Sequence, residues 1–196
     1  MALRRAKPGA GSHLDTLREE GSDYAAGELV PDLGGVPYAV VGGLATARHM
    51  PQRMTLDTDI LVAAVDRDAA EAAMARSGCE KKGMFAIGGS TWRMPGGRIV
   101  DLIALDAPWV ADAIRTTTLG PDGLPYISLP YLVLMKLESG RLQDLADISR
   151  MLGAAEENVR AETRSLIGAM KPQDLEDLES MIELGRLEHA DKKQRG

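Results

Sequence analysis

The fold is decided by residues 41–62, VGGLATARHMPQRMTLDTDILV, which combine a glycine pair with two aspartates in an otherwise apolar segment. The short apolar run before Gly42 predicts a strand, and residues 44–50 have a helix-compatible composition that Pro51 ends. From Asp57 the chain alternates polar and apolar residues and then becomes continuously apolar, as expected of a strand that enters a sheet interior. The segment therefore predicts a strand, a glycine turn, a helix and a second strand.

The two aspartates at the start of the second strand predict a metal site. Side chains at alternate positions of a strand point to the same face, so Asp57 and Asp59 present their oxygens side by side. Like charges this close repel each other unless a cation offsets them. Mg²⁺ is the natural cation because it prefers oxygen ligands from carboxylates and substrate phosphates, and Mn²⁺ is the alternative.

Asp101 is the candidate for a third carboxylate at this site. It lies within the apolar run from Val100 to Ile103, where an unpaired carboxylate would be costly to bury. If its strand lies beside the strand of Asp57 and Asp59, the three acids converge on shared metal. Asp101 is also a candidate general base toward an acceptor hydroxyl.

The glycine pair supplies a candidate anion site. A glycine turn that enters a helix exposes backbone N–H groups and the positive end of the helix dipole, so Gly42 and Gly43 could bind phosphate. The same pair is also typical of a simple strand-to-helix turn.

Composition limits the class of protein. The 196 residues are 44% hydrophobic and 27% charged, as in an ordinary globular chain with one core. A single cysteine excludes an intramolecular disulfide and argues against thiolate-bound zinc. The net charge of -6 argues against a general nucleic-acid coat but leaves a local basic groove open. With no apolar leader and no run long enough for a membrane span, we expect a cytoplasmic protein without a membrane partner.

The chain has two halves that differ in pattern. Short strand-like runs alternate with helices up to Ile127, and from Ser128 the apolar spacing indicates helices only. The fold class is therefore α/β (α+β), a small mixed sheet with flanking helices plus a C-terminal helical subdomain. The expected parts are an N-terminal tail and helix (1–30), the core (31–127), the helical subdomain (128–190) and a tail (191–196).

The glycine pair, a spacer of about a dozen residues and Asp57-Thr58-Asp59 resemble the nucleotidyltransferase superfamily that includes DNA polymerase beta. The wider stretch looks like the AbiEii-type toxin nucleotidyltransferases of bacterial toxin–antitoxin and phage-defence systems. Lys136-Leu137 and the later Arg141-x-x-Asp144-x-x-Asp147 are similar to a helical motif of that group. The resemblance spans roughly residues 38–152. It departs from the superfamily at Gly43, where a serine is often found.

The resemblance implies roles for further residues. Arg53 and Thr55 would flank the metal strand and contact the triphosphate, although Arg53 in a surface loop is an equal alternative. Lys136, in an apolar helix, would bind phosphate, snorkel to the surface, or pair with a buried acid. Asp144 is assigned to nucleotide binding, or else belongs to a capping and salt-bridge cluster with Arg141.

The implied activity is transfer of a nucleoside monophosphate from a nucleoside triphosphate to an acceptor hydroxyl. As in toxin nucleotidyltransferases, the acceptor would be RNA, such as tRNA, and a cognate antitoxin protein would be the partner. Two alternatives remain open: transfer to a small molecule such as an antibiotic, and a catalytically silent nucleotide-binding module.

Overall fold

A computed structural model describes residues 26–50, 57–85 and 88–195. The strands of these residues form a single sheet. They are β1 Ala39–Val41, β2 Thr58–Ala63, β3 Glu80–Met84, β4 Gly89–Arg93, β5 Ile99–Leu105, β6 Thr118–Leu119 and β7 Pro125–Tyr126. The α-helices are α1 Ala26–Leu29, α2 Gly42–His49, α3 Arg67–Arg76, α4 Val110–Arg115, α5 Leu129–Ser139, α6 Leu142–Ala154, α7 Glu157–Met170 and α8 Leu175–Arg195. Short 3-10 turns precede α3 and α8, at Ala64–Asp66 and Pro172–Asp174.

The sheet is mixed, which confirms the predicted fold class. Its strand order is β3-β4-β5-β2-β1-β7-β6. The two central neighbours, β2 and β5, run parallel, whereas β1 pairs with β2 and β4 pairs with β5 in antiparallel fashion. The strand, glycine turn, helix and strand predicted for residues 41–62 appear as β1, α2 and β2.

The two faces of the sheet have different environments. Ile60, Val62 and Leu102 point to one face and are fully buried, each contributing about 1.5–3 kcal/mol by leaving water. Helix α3 covers that face. Its Glu71 carboxylate accepts a hydrogen bond at 2.7 Å from the buried hydroxyl of Ser90, a β4 residue on the same face. The alternate positions of β5 are only half-buried, so the opposite face stays partly open on that side of the sheet.

Four helices follow the sheet, as the second half of the sequence predicts. Helices α5 and α6 pack against α2, so the helical half contacts the glycine turn's own helix. Helices α6 and α8 cross closely: a Cβ on Gly185 would lie 1.8 Å from the carbonyl oxygen of Ser149. None of the described helices is long and apolar enough to cross a membrane.

Several predicted boundaries are wrong. Strand β3 begins at Glu80, before the start of the strand expected at residues 84–87, and residues 86–87 lie outside the described residues. Strand β3 lies at the edge of the sheet, and all of its residues are exposed. Its sequence therefore lacks the alternation of apolar and polar residues by which a strand is predicted. The short elements α4, β6 and β7 were not predicted, since each is too brief to show a period.

The C-terminal helix also differs from the prediction. It continues through the expected tail at residue 191 to Arg195, and the added residues, such as Lys and Gln, are good helix formers. Along this helix, Leu178 and Ile182 are buried, whereas Leu187 is 59% exposed. Asp66 sits at the N-cap of α3, but its side chain makes no capping hydrogen bond.

The close crossing of α6 and α8 gives a testable prediction. Gly185→Ala should destabilise the fold by about 1–3 kcal/mol, because the new methyl group forces the two helices apart. Gly168→Ala in α7 is the matched control, since its Cβ would meet only the Leu175 side chain at 3.5 Å. That change should be neutral or stabilising by up to about 1 kcal/mol. Equal denaturant midpoints for both variants would contradict the tight crossing.

Candidate active site

Asp59 and Asp101 lie side by side on the two central parallel strands. The register pairs Asp59 of β2 directly with Asp101 of β5, so both carboxylates stand on the same face. The two residues are half-buried, in keeping with the partly open face. This part of the sequence prediction, in which the strand of Asp101 lies beside the strand of Asp59, agrees with the structure.

The electrostatics of Asp59 reflect this crowding. Burial raises the pKa of the Asp59 carboxyl above its usual range, and the carboxylates of Asp101 and Asp57 raise it further. A hydrogen bond from the Gly43 N–H and the positive charge of Lys136 act in the opposite direction without cancelling the rise. The folded protein therefore holds a negative charge here at a cost that a bound cation would remove.

The glycine turn is built around Asp59. Gly42 has a φ of 57°, and a Cβ at this position would lie 1.9 Å from Asp59 Oδ2, so a side chain there is excluded. The next residue, Gly43, donates its backbone N–H to the same oxygen at 3.3 Å. The first turn of α2 thus contacts a carboxylate directly. Phosphate binding by Gly42 and Gly43 stays a prediction.

Asp57 lies outside strand β2, although the sequence predicts that it stands at the start of this strand. Strand β2 begins at Thr58, so Asp57 lies just outside it and is exposed. Within residues 26–50, 57–85 and 88–195, no group of three or more His, Cys, Asp or Glu side chains is arranged to hold a metal ion. The structure therefore brings together the pair Asp59 and Asp101, and the metal site of three carboxylates stays a prediction.

Lys136 belongs to a buried ion cluster. Its ammonium donates to Asp144 Oδ1 at 2.7 Å and to Asp147 Oδ2 at 2.9 Å. The residue is only 7% exposed, so it is not a snorkelling surface lysine. Burial favours the neutral form of Asp144, but hydrogen bonds from Lys136 and Ser139 hold its pKa below the usual value. Of the alternatives for Lys136, pairing with a buried acid is the one that the structure shows, and nucleotide binding by Lys136 and Asp144 stays a prediction.

Three other residues complete the comparison with the sequence. Arg53 and Thr55 lie in the segment 51–56, outside the described residues, so their predicted contacts with the triphosphate stay predictions. Thr46 of α2 is fully buried, and its hydroxyl donates to the Gly42 carbonyl oxygen at 2.8 Å. Its hydroxyl is therefore used within α2.

Sequence reasoning missed Thr91. This residue of β4 is paired with Asp101 of β5, and its hydroxyl donates to Asp101 Oδ1 at 2.8 Å. The sequence contains no local signal for this contact, because the pairing depends on the register of two strands joined by the turn at residues 95–97.

No protein-family model matches this chain, and neither does any curated protein. The solution structure of the antibiotic-resistance factor ANT(2'')-Ia is similar with a TM-score of 0.44 at 14% identity, over 92% of this chain and 96% of that chain. A CCA-adding enzyme in complex with CTP is similar with a TM-score of 0.38 at 16% identity, over 80% of this chain and 43% of that chain. The Thermotoga maritima CCA-adding enzyme complexed with tRNA gives 0.36 at 14% identity, over 87% and 51%. With TM-scores this low, the function of this chain has to be inferred from its own residues.

The buried cluster predicts a strong effect of Lys136→Met on stability. The substitution keeps the aliphatic stem but removes the ammonium that Asp144 and Asp147 share, at a cost on the order of 3–5 kcal/mol. Lys82→Met, which breaks a surface pair with Glu80, is the control and should change stability by less than about 1 kcal/mol. Chemical denaturation of both variants measures the difference. A Lys136→Met protein as stable as the control would show that the cluster does not support the fold.

The raised pKa of Asp59 predicts a pH-dependent stability. An unfolded aspartate has a pKa of about 3.9, and the pKa of the folded Asp59 carboxyl is higher. The free energy of unfolding therefore falls as the pH rises from the unfolded pKa through the folded pKa, and it stays lower above that range. Asp59→Asn should therefore raise the melting temperature of the metal-free protein at neutral pH, by about 2–4 °C for each kcal/mol relieved. The gain should shrink toward about pH 4.

The control for this measurement is Asp68→Asn, which changes an 86% exposed carboxylate on α3, on the other face of the sheet. It should leave stability within about 0.5 kcal/mol at both pH values. An Asp59→Asn variant that is less stable than wild type at neutral pH would show that the Asp59 charge is satisfied in the metal-free fold.

Proposed function

We propose that this chain is a metal-dependent nucleotidyltransferase that transfers a nucleoside monophosphate from a nucleoside triphosphate to an acceptor hydroxyl. The observation that carries the proposal is the pair of half-buried carboxylates, Asp59 and Asp101, held opposite each other on parallel strands beside the first turn of α2. Burial raises the pKa of the Asp59 carboxyl, and a second carboxylate stands directly beside it, an arrangement that suits a divalent cation.

The residues present fit a hard divalent cation. Asp59 and Asp101 supply adjacent carboxylate oxygens, and Asp57 lies close enough for its charge to affect Asp59. Mg²⁺ or Mn²⁺ held there would neutralise charge on the triphosphate and on the reacting oxygens. Asp59 and Asp57 are proposed to hold the cation that accompanies the triphosphate, and Asp101 the position nearest the acceptor.

The chain's own residues then have distinct tasks. The carboxylate of Asp101 accepts the proton of the acceptor hydroxyl as its oxygen attacks the α-phosphorus. The bond from that phosphorus to the bridging oxygen breaks, and pyrophosphate leaves. The first turn of α2 offers backbone N–H groups to the triphosphate, and Arg53, Thr55, Lys136 and Asp144 are proposed to contact the nucleotide.

For the acceptor we propose RNA, with tRNA as the first candidate, and a toxin role with a cognate antitoxin. This choice rests on the sequence resemblance to AbiEii-type toxins over residues 38–152. The net charge of -6 favours a second candidate, a small hydroxylated molecule of the antibiotic type, because RNA binding relies on neutralising phosphates. A silent nucleotide-binding module is the outcome if no transfer occurs.

The test is incubation of the protein with each labelled nucleoside triphosphate, Mg²⁺ and either total RNA or a panel of aminoglycosides. We expect label to move to an acceptor, and Asp59→Asn to reduce the rate about a thousandfold, since the lost ligand is worth several kcal/mol of charge stabilisation. Asp68→Asn, on the opposite side of the sheet, is the control and should transfer at the wild-type rate.

The destination of the label separates the candidates. Label in tRNA supports the toxin proposal, and label on an aminoglycoside supports the second. Nucleotide binding by wild type without any transfer, or equal rates for Asp59→Asn and wild type, would contradict catalysis at this pair of acids.

A further inference from the structure

Thr91 stands at the end of a row of side chains that crosses the sheet on the open face. The register places Thr91 of β4 opposite Asp101 of β5, and Asp101 opposite Asp59 of β2. Paired positions on neighbouring strands share a face and lie about 5 Å apart. Thr91, Asp101 and Asp59 therefore form one line, with Thr91 on the side away from the glycine turn.

Each carboxylate of the row is held on its outer side by one hydrogen-bond donor. The Thr91 hydroxyl donates to Asp101 Oδ1 at 2.8 Å, and the Gly43 N–H donates to Asp59 Oδ2 at 3.3 Å. Among the described residues, neither Asp101 Oδ2 nor Asp59 Oδ1 accepts a hydrogen bond. One oxygen of each acid is thus fixed and the other is left for a ligand.

We propose that Thr91 is a positioning residue, whose hydroxyl fixes the rotation of the Asp101 carboxylate so that Oδ2 is presented to the metal and to the acceptor hydroxyl. This inference rests on the proposed function. A carboxylate that is free to rotate must be ordered when the metal binds, whereas one held by a donor is ordered in advance. The hydroxyl acts through Asp101 and does not touch the reacting atoms.

The expected loss of metal affinity and activity follows from comparable hydrogen bonds to metal ligands in other proteins. Loss of a hydrogen bond that orients a ligand weakens metal affinity or activity by about 10–100-fold. Thr91→Val removes the hydroxyl but keeps a β-branched side chain that suits a strand. Thr91→Ser keeps the hydroxyl and removes only the methyl group.

The experiment measures Mn²⁺ binding by the full-length protein through water-proton relaxation, without any substrate, and nucleotide transfer separately. Thr91→Val should raise the Mn²⁺ dissociation constant and lower kcat, each by about 10–100-fold, while the KM for the nucleoside triphosphate changes by less than about threefold. Thr91→Ser should restore both values to within about threefold of wild type. Thr118→Val, an exposed position on the edge strand β6, is the matched control and should match wild type.

A second pair of variants tests whether Thr91 acts through Asp101. In an Asp101→Asn background, Thr91→Val should have no further effect on Mn²⁺ binding, because the contact that it removes no longer orients a ligand. Melting temperatures of all variants show whether any loss merely follows unfolding.

The failures of the two proposals are distinguishable. If wild type neither binds Mn²⁺ nor transfers nucleotide, the proposed function is contradicted and the role of Thr91 falls with it. If wild type does both and Thr91→Val is indistinguishable from it, only the role of Thr91 is overturned. A loss shared equally by Thr91→Val and Thr91→Ser, in proportion to the drop in melting temperature, would overturn it as well.

Discussion

The parallel pairing of β2 with β5 is the constraint on which the rest of the site depends. It sets Asp59 and Asp101 opposite each other, about 5 Å apart, in a half-buried part of the sheet. A fold without a ligand gains nothing from two adjacent carboxylates, because burial and mutual repulsion both raise the pKa of Asp59. The arrangement becomes favourable only when a cation shares the two oxygens.

The surroundings of the pair are organised to hold the carboxylates rather than to neutralise them. Gly42 has no side chain, which leaves room for the Asp59 carboxylate beside the first turn of α2, and Gly43 contributes a neutral N–H donor. The nearby cation Lys136 is already bonded to Asp144 and Asp147 and acts on Asp59 only through space. The Lys136 charge lowers the pKa of Asp59 without cancelling its rise, and α5 and α6 support α2 by packing.

How much the sequence predicts depends on whether a feature is local. The strand, glycine turn, helix and strand could be predicted because apolar periodicity and glycine positions are local signals. The adjacency of Asp59 and Asp101 could be stated only as a condition, since strand order is a non-local property. The contact of Gly42 with Asp59, the Thr91 hydrogen bond and the exposed edge strand β3 depend on register and exposure, which no residue pattern in the sequence encodes.

The most direct test of this account is the anomalous diffraction of crystals grown with Mn²⁺ and a non-hydrolysable nucleoside triphosphate analogue. We expect a manganese peak about 2–2.5 Å from oxygens of both Asp59 and Asp101, with the analogue's phosphates completing the coordination beside the first turn of α2. A manganese peak elsewhere, or nucleotide bound away from both carboxylates, would contradict the central claim that this pair of acids exists to hold a metal.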